Sequence, residues 1–146
     1  MPNEAEEGPK AFVVLSDGVD VRSKNSIVSA IEFAQRADTI IYSILFANRF
    51  MIRPPVDMAA EAVYMARGRK TMRRLADETG GAYFEVSKNN PIEKVYTQIE
   101  DELRNQYSIG YTSAEPDGTG FRKIVLTAKR KDLIIRTRDG YYPRQH

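Results

Sequence analysis

The run Ala11-Phe-Val-Val-Leu15, followed directly by Ser16-Asp17-Gly18, constrains the fold of this chain more than any other segment. Five consecutive apolar residues predict a strand buried on both faces, which is the pattern of a parallel sheet. The strand stops at a small hydroxyl, an acid and a glycine. In open parallel sheets ligands bind in the crevice beyond the carboxyl ends of the strands. Asp17 therefore stands where recognition or chemistry is expected.

The rest of the chain extends the same pattern. Ile27, Ala30, Ile31 and Ala34 recur at helical spacing and predict a helix over about 24–37. Thr39-Ile-Ile-Tyr-Ser-Ile-Leu45 is β-branched and apolar on both faces, and predicts a second buried strand. Arg53-Pro54-Pro55 breaks any regular element, with a short helix expected over Val56–Ala66. Segment 47–67 follows a strand end, so it is expected to lie beside Asp17 as a binding loop or lid, with Arg53 and Tyr64 as candidate partner contacts. From Gly68, the residues Met72, Leu75, Ala76 and Thr79 predict a helix closed by Gly80-Gly81. Ala82–Val86 reads as a third strand. Asn90-Pro91-Ile92-Glu93 reads as a helix start with Asn90 as N-cap, and Ile92, Val95, Tyr96, Ile99 and Leu103 give that helix its apolar stripe to about residue 106. Beyond it, Gln106–Thr112, Arg122–Lys129 and Leu133–Arg138 predict three short antiparallel strands, the first two separated by the turn Glu115-Pro-Asp-Gly-Thr-Gly120. The expected class is α/β, a Rossmann-like parallel sheet with flanking helices over residues 10–106, followed by an antiparallel β extension of the same domain over 107–143.

Several kinds of chemistry have no residues to support them. A chain of 146 residues with 42% hydrophobic and 29% charged content suits one globular domain. It has no cysteine, and its only histidine is His146, so no Ser-His or Cys-His pair can be assembled. Gly68-Arg-Lys-Thr71 lacks the upstream glycine of a phosphate loop, and Gly118-Thr-Gly120 lies in a turn between strands rather than before a helix. No apolar run is long enough to span a bilayer, and Met1-Pro-Asn-Glu-Ala-Glu-Glu is too polar and acidic for a signal peptide. Net charge is only +2, but basic residues cluster at Arg67, Arg69, Lys70, Arg73 and Arg74, and again after Thr119. Both clusters are expected to be solvated faces rather than a nucleic-acid footprint. Asp17 and Asp20 are near enough in sequence to share a cation, although such spacing is also common in turns.

The order of Leu15-Ser-Asp-Gly18, a helix, an Ile-Ile-Tyr-Ser-Ile strand, and a helix closing on Leu75-Ala-Asp-Glu-Thr-Gly-Gly81-Ala-Tyr-Phe resembles the second half of a von Willebrand factor type A domain. Leu103-Arg-Asn-Gln-Tyr-Ser-Ile-Gly-Tyr111, Phe121-Arg-Lys-Ile and Arg138-Asp-Gly-Tyr-Tyr-Pro143 are similar to segments of a bacterial group of such domains. The resemblance implies a protein-interaction module whose Mg²⁺ or Mn²⁺ ion takes a carboxylate from an acidic side chain of a protein partner. Asp17 would match the acid of the third metal motif, with Ser16, Gly18 and Asp20 beside it. It also implies a secreted or periplasmic location. The family's principal ligands come from an Asp-x-Ser-x-Ser segment that occurs nowhere in this chain, so the chain by itself is expected to hold no metal. The strand at Ala11–Leu15 would neighbour the missing one, which leaves its backbone edge open. That edge is expected to be covered by a second copy of the chain, by a rearranged C-terminal strand or by a separately supplied front half. Two other functions compete with a non-enzymatic interaction module. One is nucleic-acid association through Tyr107, Tyr111, Phe121, Tyr141 and Tyr142 among the C-terminal basic residues, which is the less expected. The other is a metal-dependent hydrolase centred on Asp17 and Asp20.

Overall fold

A computed structural model of the chain describes residues 10–19, 23–46, 58–112 and 120–143. The elements run β1 (Lys10–Ser16), α1 (Ile27–Arg36), β2 (Thr39–Leu45), α2 (Met58–Thr79), β3 (Tyr83–Glu85), α3 (Ile92–Arg104), β4 (Arg122–Lys123) and β5 (Gly140–Tyr141). Strands β1, β2 and β3 form a parallel sheet in that order, while β4 and β5 form a separate antiparallel pair. This is the α/β class that the apolar runs predict.

Strand β2 is the centre of the packing. Its side chains alternate between the two faces of the sheet. Tyr42 and Ile44 meet Ala82 and, from α3, Val95 and Ile99, whereas Ile41 meets Ile31 and Ala34 of α1 and Leu75 of α2. The sheet winds in one direction from β1 to β3, so crossovers of one hand place α1 and α2 on the same face, and α3 covers the other. Polar groups in these layers are used as ties. Ser43 Oγ donates to the Met72 carbonyl at 2.6 Å, the Ile41 amide donates to Thr79 Oγ1 at 3.0 Å, and Gln35 Nε2 donates to the Glu78 carbonyl at 2.9 Å. Among the described residues no buried side-chain polar atom lacks a partner, as expected where an orphan group would cost stability.

Several expectations need correction. Strand β1 is not buried on both faces: among the described residues it is an edge strand, and the helices cover it less completely than β2. Phe12 is 61% exposed and Leu15 52%, and only Val14 packs against the α1–α2 side. The break expected at Gly68 is absent, because Met58–Thr79 is one continuous helix. Tyr64 therefore sits on the long helix α2 rather than on a separate short one. The cap of α3 falls on Pro91, one residue later than expected. Asn90 is occupied instead in a turn, its side-chain amide donating to the Glu85 carbonyl at 3.2 Å and its backbone amide to Ser87. Gly80 does take the left-handed conformation, φ +87°, that ends α2.

The antiparallel extension is much shorter than the alternating residues predict. Only Arg122–Lys123 and Gly140–Tyr141 pair, and neither Gln106–Thr112 nor Leu133–Arg138 forms a strand. A two-stranded ribbon with no packed face is marginal in water, and Val125, Ile134 and Tyr107 (92% exposed) have nothing to pack on. The segment is held where it reaches the helices. The Asp139 amide donates to the Glu78 carbonyl at 3.3 Å, Arg138 pairs with Asp38, Arg136 pairs with Glu102 at 2.6 Å, and Arg36 lies 3.9 Å over the Tyr142 ring. Asp38 and Glu78 precede β2 and β3, so most of these anchors are at the end of the sheet opposite Asp17. No described helix is long and apolar enough to cross a membrane.

Ile44→Ala, at a fully buried position of β2, is expected to lower unfolding free energy by about 2–5 kcal/mol in urea titrations, whereas Ile134→Ala at an exposed position changes it by no more than about 0.5 kcal/mol.

Candidate functional site at the carboxyl end of β1

The turn after β1 is built from the side chains that end it. Ser16 Oγ accepts the Gly18 amide at 3.0 Å, and Asp17 Oδ1 accepts the Val19 amide at 3.1 Å. Short polar side chains bonding the backbone two residues on is the usual chemistry of such a turn. Gly18 has φ +73°, a conformation that favours glycine. Its neighbour in space is Gly68, halfway along α2. A methyl group at Gly68 would overlap the Asp17 carbonyl oxygen, and one at Gly18 would overlap the Gly68 carbonyl and the Met72 side chain. Two missing side chains thus let the turn backbone lie directly on the helix backbone.

That contact fixes what stands beside Asp17. Tyr64 is one helical turn before Gly68, and its hydroxyl donates to Asp17 Oδ2 at 3.2 Å. Desolvation, followed by the charge and hydrogen bond of Asp17, holds the Tyr64 phenol above its usual range. Both carboxylate oxygens of Asp17 are therefore engaged by donors. The structure brings Ser16, Asp17, Gly18 and Tyr64 together, while Asp20 and Arg53 lie outside the described residues.

The described residues of the turn bring together one carboxylate, that of Asp17, for a Mg²⁺ or Mn²⁺ ion. Asp17 is the carboxylate of the turn, its Oδ2 already faces an O–H donor, and among the described residues no three His, Cys, Asp or Glu side chains come together. A hard cation held largely by oxygen ligands would have to displace the Tyr64 hydroxyl, and would find no second carboxylate among the described residues of the turn.

A groove of about 660 Å³ opens between this turn and the first half of α2. Val19, Ala60 and Val63 supply apolar walls, and Arg67, Lys70 and Thr71 supply polar ones. Sequence reasoning assigned no role to these last three. Their signal was spacing: residues 60, 63, 64, 67, 70 and 71 form one stripe of a helix.

The basic residues around Arg67 separate into two groups. Arg69 grips Glu85 with two nitrogens, at 3.1 and 2.7 Å, and its hydrogen bonds hold the Glu85 carboxyl below its usual range. Arg73 lies 5.0 Å from the centre of the Tyr83 ring, and Arg74 pairs with Glu78. Burial and the neighbouring Glu85 push the Tyr83 phenol up to about 12. The C-terminal basic residues are engaged in part: Arg130 with Asp132, Arg136 with Glu102 and Arg138 with Asp38. The aromatic residues near them contact one another, Tyr111 with Tyr141 edge to face at 6.2 Å and Phe121 with Tyr142 at 5.3 Å.

No family model and no curated protein matches the chain. A solved structure similar to it is that of an uncharacterized membrane spanning protein from Vibrio fischeri, 18% identical, with a TM-score of 0.47, aligned over 65% of this chain and 47% of that one. The chain thus spans less than half the length of that protein.

Gly68→Ala separates helix propensity from contact. Propensity alone favours alanine in a helix interior by about 1 kcal/mol. Overlap with the Asp17 carbonyl reverses the sign, so the variant is expected to lose roughly 1–3 kcal/mol in denaturant titrations and to weaken protection of the Gly18 and Val19 amides.

Proposed function

We propose that this chain is a non-enzymatic protein-interaction module of von Willebrand A type that works through the free edge of β1 and the turn at Asp17. The observation that carries this reading is the state of β1. Among the described residues it pairs with β2 alone, and the Ser16 carbonyl accepts the Phe46 amide across that ladder. Backbone groups alternate in direction along a strand, so Lys10, Phe12, Val14 and Ser16 face β2 while Ala11, Val13 and Leu15 present amides and carbonyls to the open edge. Exposed apolar side chains flank that edge above and below: Phe12 on the α1–α2 side, and Val13 and Leu15 beside Tyr42 and Ile44 on the α3 side. Such an edge pairs with another strand, because the pairing satisfies its backbone groups and covers apolar surface together.

A second copy of the chain meets these needs. Antiparallel pairing of two β1 strands about a two-fold axis would bring Lys10 of each copy to the Ser16–Asp17 end of the other, with the two Val13 residues at the centre. The charges are complementary and the apolar centre is self-complementary. The front half that the family resemblance implies would cover the same edge in a longer assembly.

Size-exclusion chromatography with light scattering over a wide concentration range tests this. Dimers that dissociate on dilution are expected. Val13→Pro removes an outward amide and leaves the β1–β2 ladder intact, and should give monomers with an unchanged circular dichroism spectrum. A wild-type chain that stays monomeric and soluble at high concentration contradicts the proposal.

A further inference from the structure

The groove beside the turn carries a more specific statement about the partner, one that rests on the interaction-module reading. Of the basic cluster on α2, Arg69, Arg73 and Arg74 are each engaged by a residue of this chain. Arg67 and Lys70 have no such partner among the described residues, and both line the groove with the Thr71 hydroxyl. Their separation of three residues on a helix places them side by side. A guanidinium, an ammonium and a hydroxyl converging on one groove form a donor set for an anion.

Among the described residues, the carboxylate of the turn is already engaged. Asp17 stands at the rim, but its two oxygens are taken by the Val19 amide and the Tyr64 hydroxyl. The Tyr64 hydroxyl holds the Asp17 carboxylate toward the turn, and so leaves Arg67 and Lys70 to an incoming group. Among the described residues at the rim, two cations stand beside one carboxylate, Asp17. The walls also shape the ligand. Val19, Ala60 and Val63 form an apolar lining broader than the polar one, which suits an aliphatic stem and apolar neighbours better than a free, fully hydrated ion.

We infer that the groove between the Ser16–Val19 turn and α2 binds an acidic side chain of a partner protein, a glutamate or aspartate set among apolar residues, directly through Arg67, Lys70 and Thr71. Recognition of the carboxylate needs no bridging cation. An Arg–carboxylate contact here supplies the charge-assisted hydrogen bonds that a metal would otherwise replace. The site lies at the same end of the sheet as the open edge of β1, so one partner could reach both. The two are still separable, because the groove belongs to α2 and the turn while the edge belongs to β1.

The test is a titration of the full chain with the acetylated, amidated peptide Ala-Leu-Glu-Leu-Ala, followed by amide NMR in the presence of a chelator. Its Gln counterpart and inorganic phosphate are run in parallel. Saturable shifts are expected at Val19, Val63, Arg67, Lys70 and Thr71, with the Glu peptide bound roughly tenfold more tightly than the Gln peptide. Raising salt from about 0.05 to about 0.3 M should weaken binding several-fold. The double variant R67Q/K70Q should lose roughly tenfold or more in affinity while keeping its circular dichroism spectrum, since both side chains are exposed. Equal binding of the two peptides, no saturation by about 10 mM, an unaffected double variant, or tighter binding of phosphate than of the Glu peptide would each overturn the inference. Dimerisation that persists in R67Q/K70Q with peptide binding lost supports both readings. Failure of peptide binding with dimerisation intact removes only the groove.

Discussion

The burial of β2 between two helical layers is the constraint on which the rest of this structure depends. Ile44 and Leu45 are almost completely inaccessible, and Tyr42 is nearly so. Each large apolar side chain sequestered in this way contributes about 1.5–3 kcal/mol relative to exposure. Helices α1 and α2 are held to one face through Ile31, Ala34 and Leu75, and α3 to the other through Val95 and Ile99. Those layers leave Phe12, Val13 and Leu15 of β1 exposed. The property that makes the chain a candidate interaction module follows from where the helices stop.

The site depends on a second, smaller constraint, the backbone contact between Gly18 and Gly68. It joins the turn after β1 to the middle of α2 with no side chain between them. From that one contact follow the position of Tyr64 against Asp17 and the adjacency of Arg67 and Lys70 to the turn. Asp17 organises the rim through the hydrogen bonds that its two oxygens accept from the Val19 amide and the Tyr64 hydroxyl. The recognition chemistry moves from the carboxylate to the two cations beside it.

Much of this was legible in the sequence because its signals are local. Periodicity marked β2, α1 and the buried face of α3, and Gly80 marked the end of α2. The Ser-Asp-Gly turn was readable because short polar side chains and glycine have few other uses after a buried strand. The rest depended on contacts between distant residues. A glycine within a basic stretch looked like a helix start, because nothing near Gly68 in sequence shows that the Asp17 carbonyl occupies the space of its missing side chain. Five adjacent basic residues look alike until Glu85, Tyr83 and Glu78 are seen to engage three of them. Alternation over Arg122–Lys129 and Leu133–Arg138 predicts strands correctly only where pairing is supported, and here only Arg122–Lys123 of those ranges pairs, with Gly140–Tyr141 beyond them. The same reasoning misjudged β1: five apolar residues report a demand for burial, and the fold of this chain leaves that demand unmet.

The unmet demand is the central claim, and its most direct measurement is residue-resolved amide hydrogen exchange of β1 as a function of protein concentration. Phe12 and Val14 donate into the β1–β2 ladder and should exchange slowly at every concentration. Ala11, Val13 and Leu15 face outward and should exchange rapidly when dilute, then become protected as the edge is covered. Outward amides that exchange rapidly at all concentrations, or that are already protected in a dilute monomer, would contradict the account.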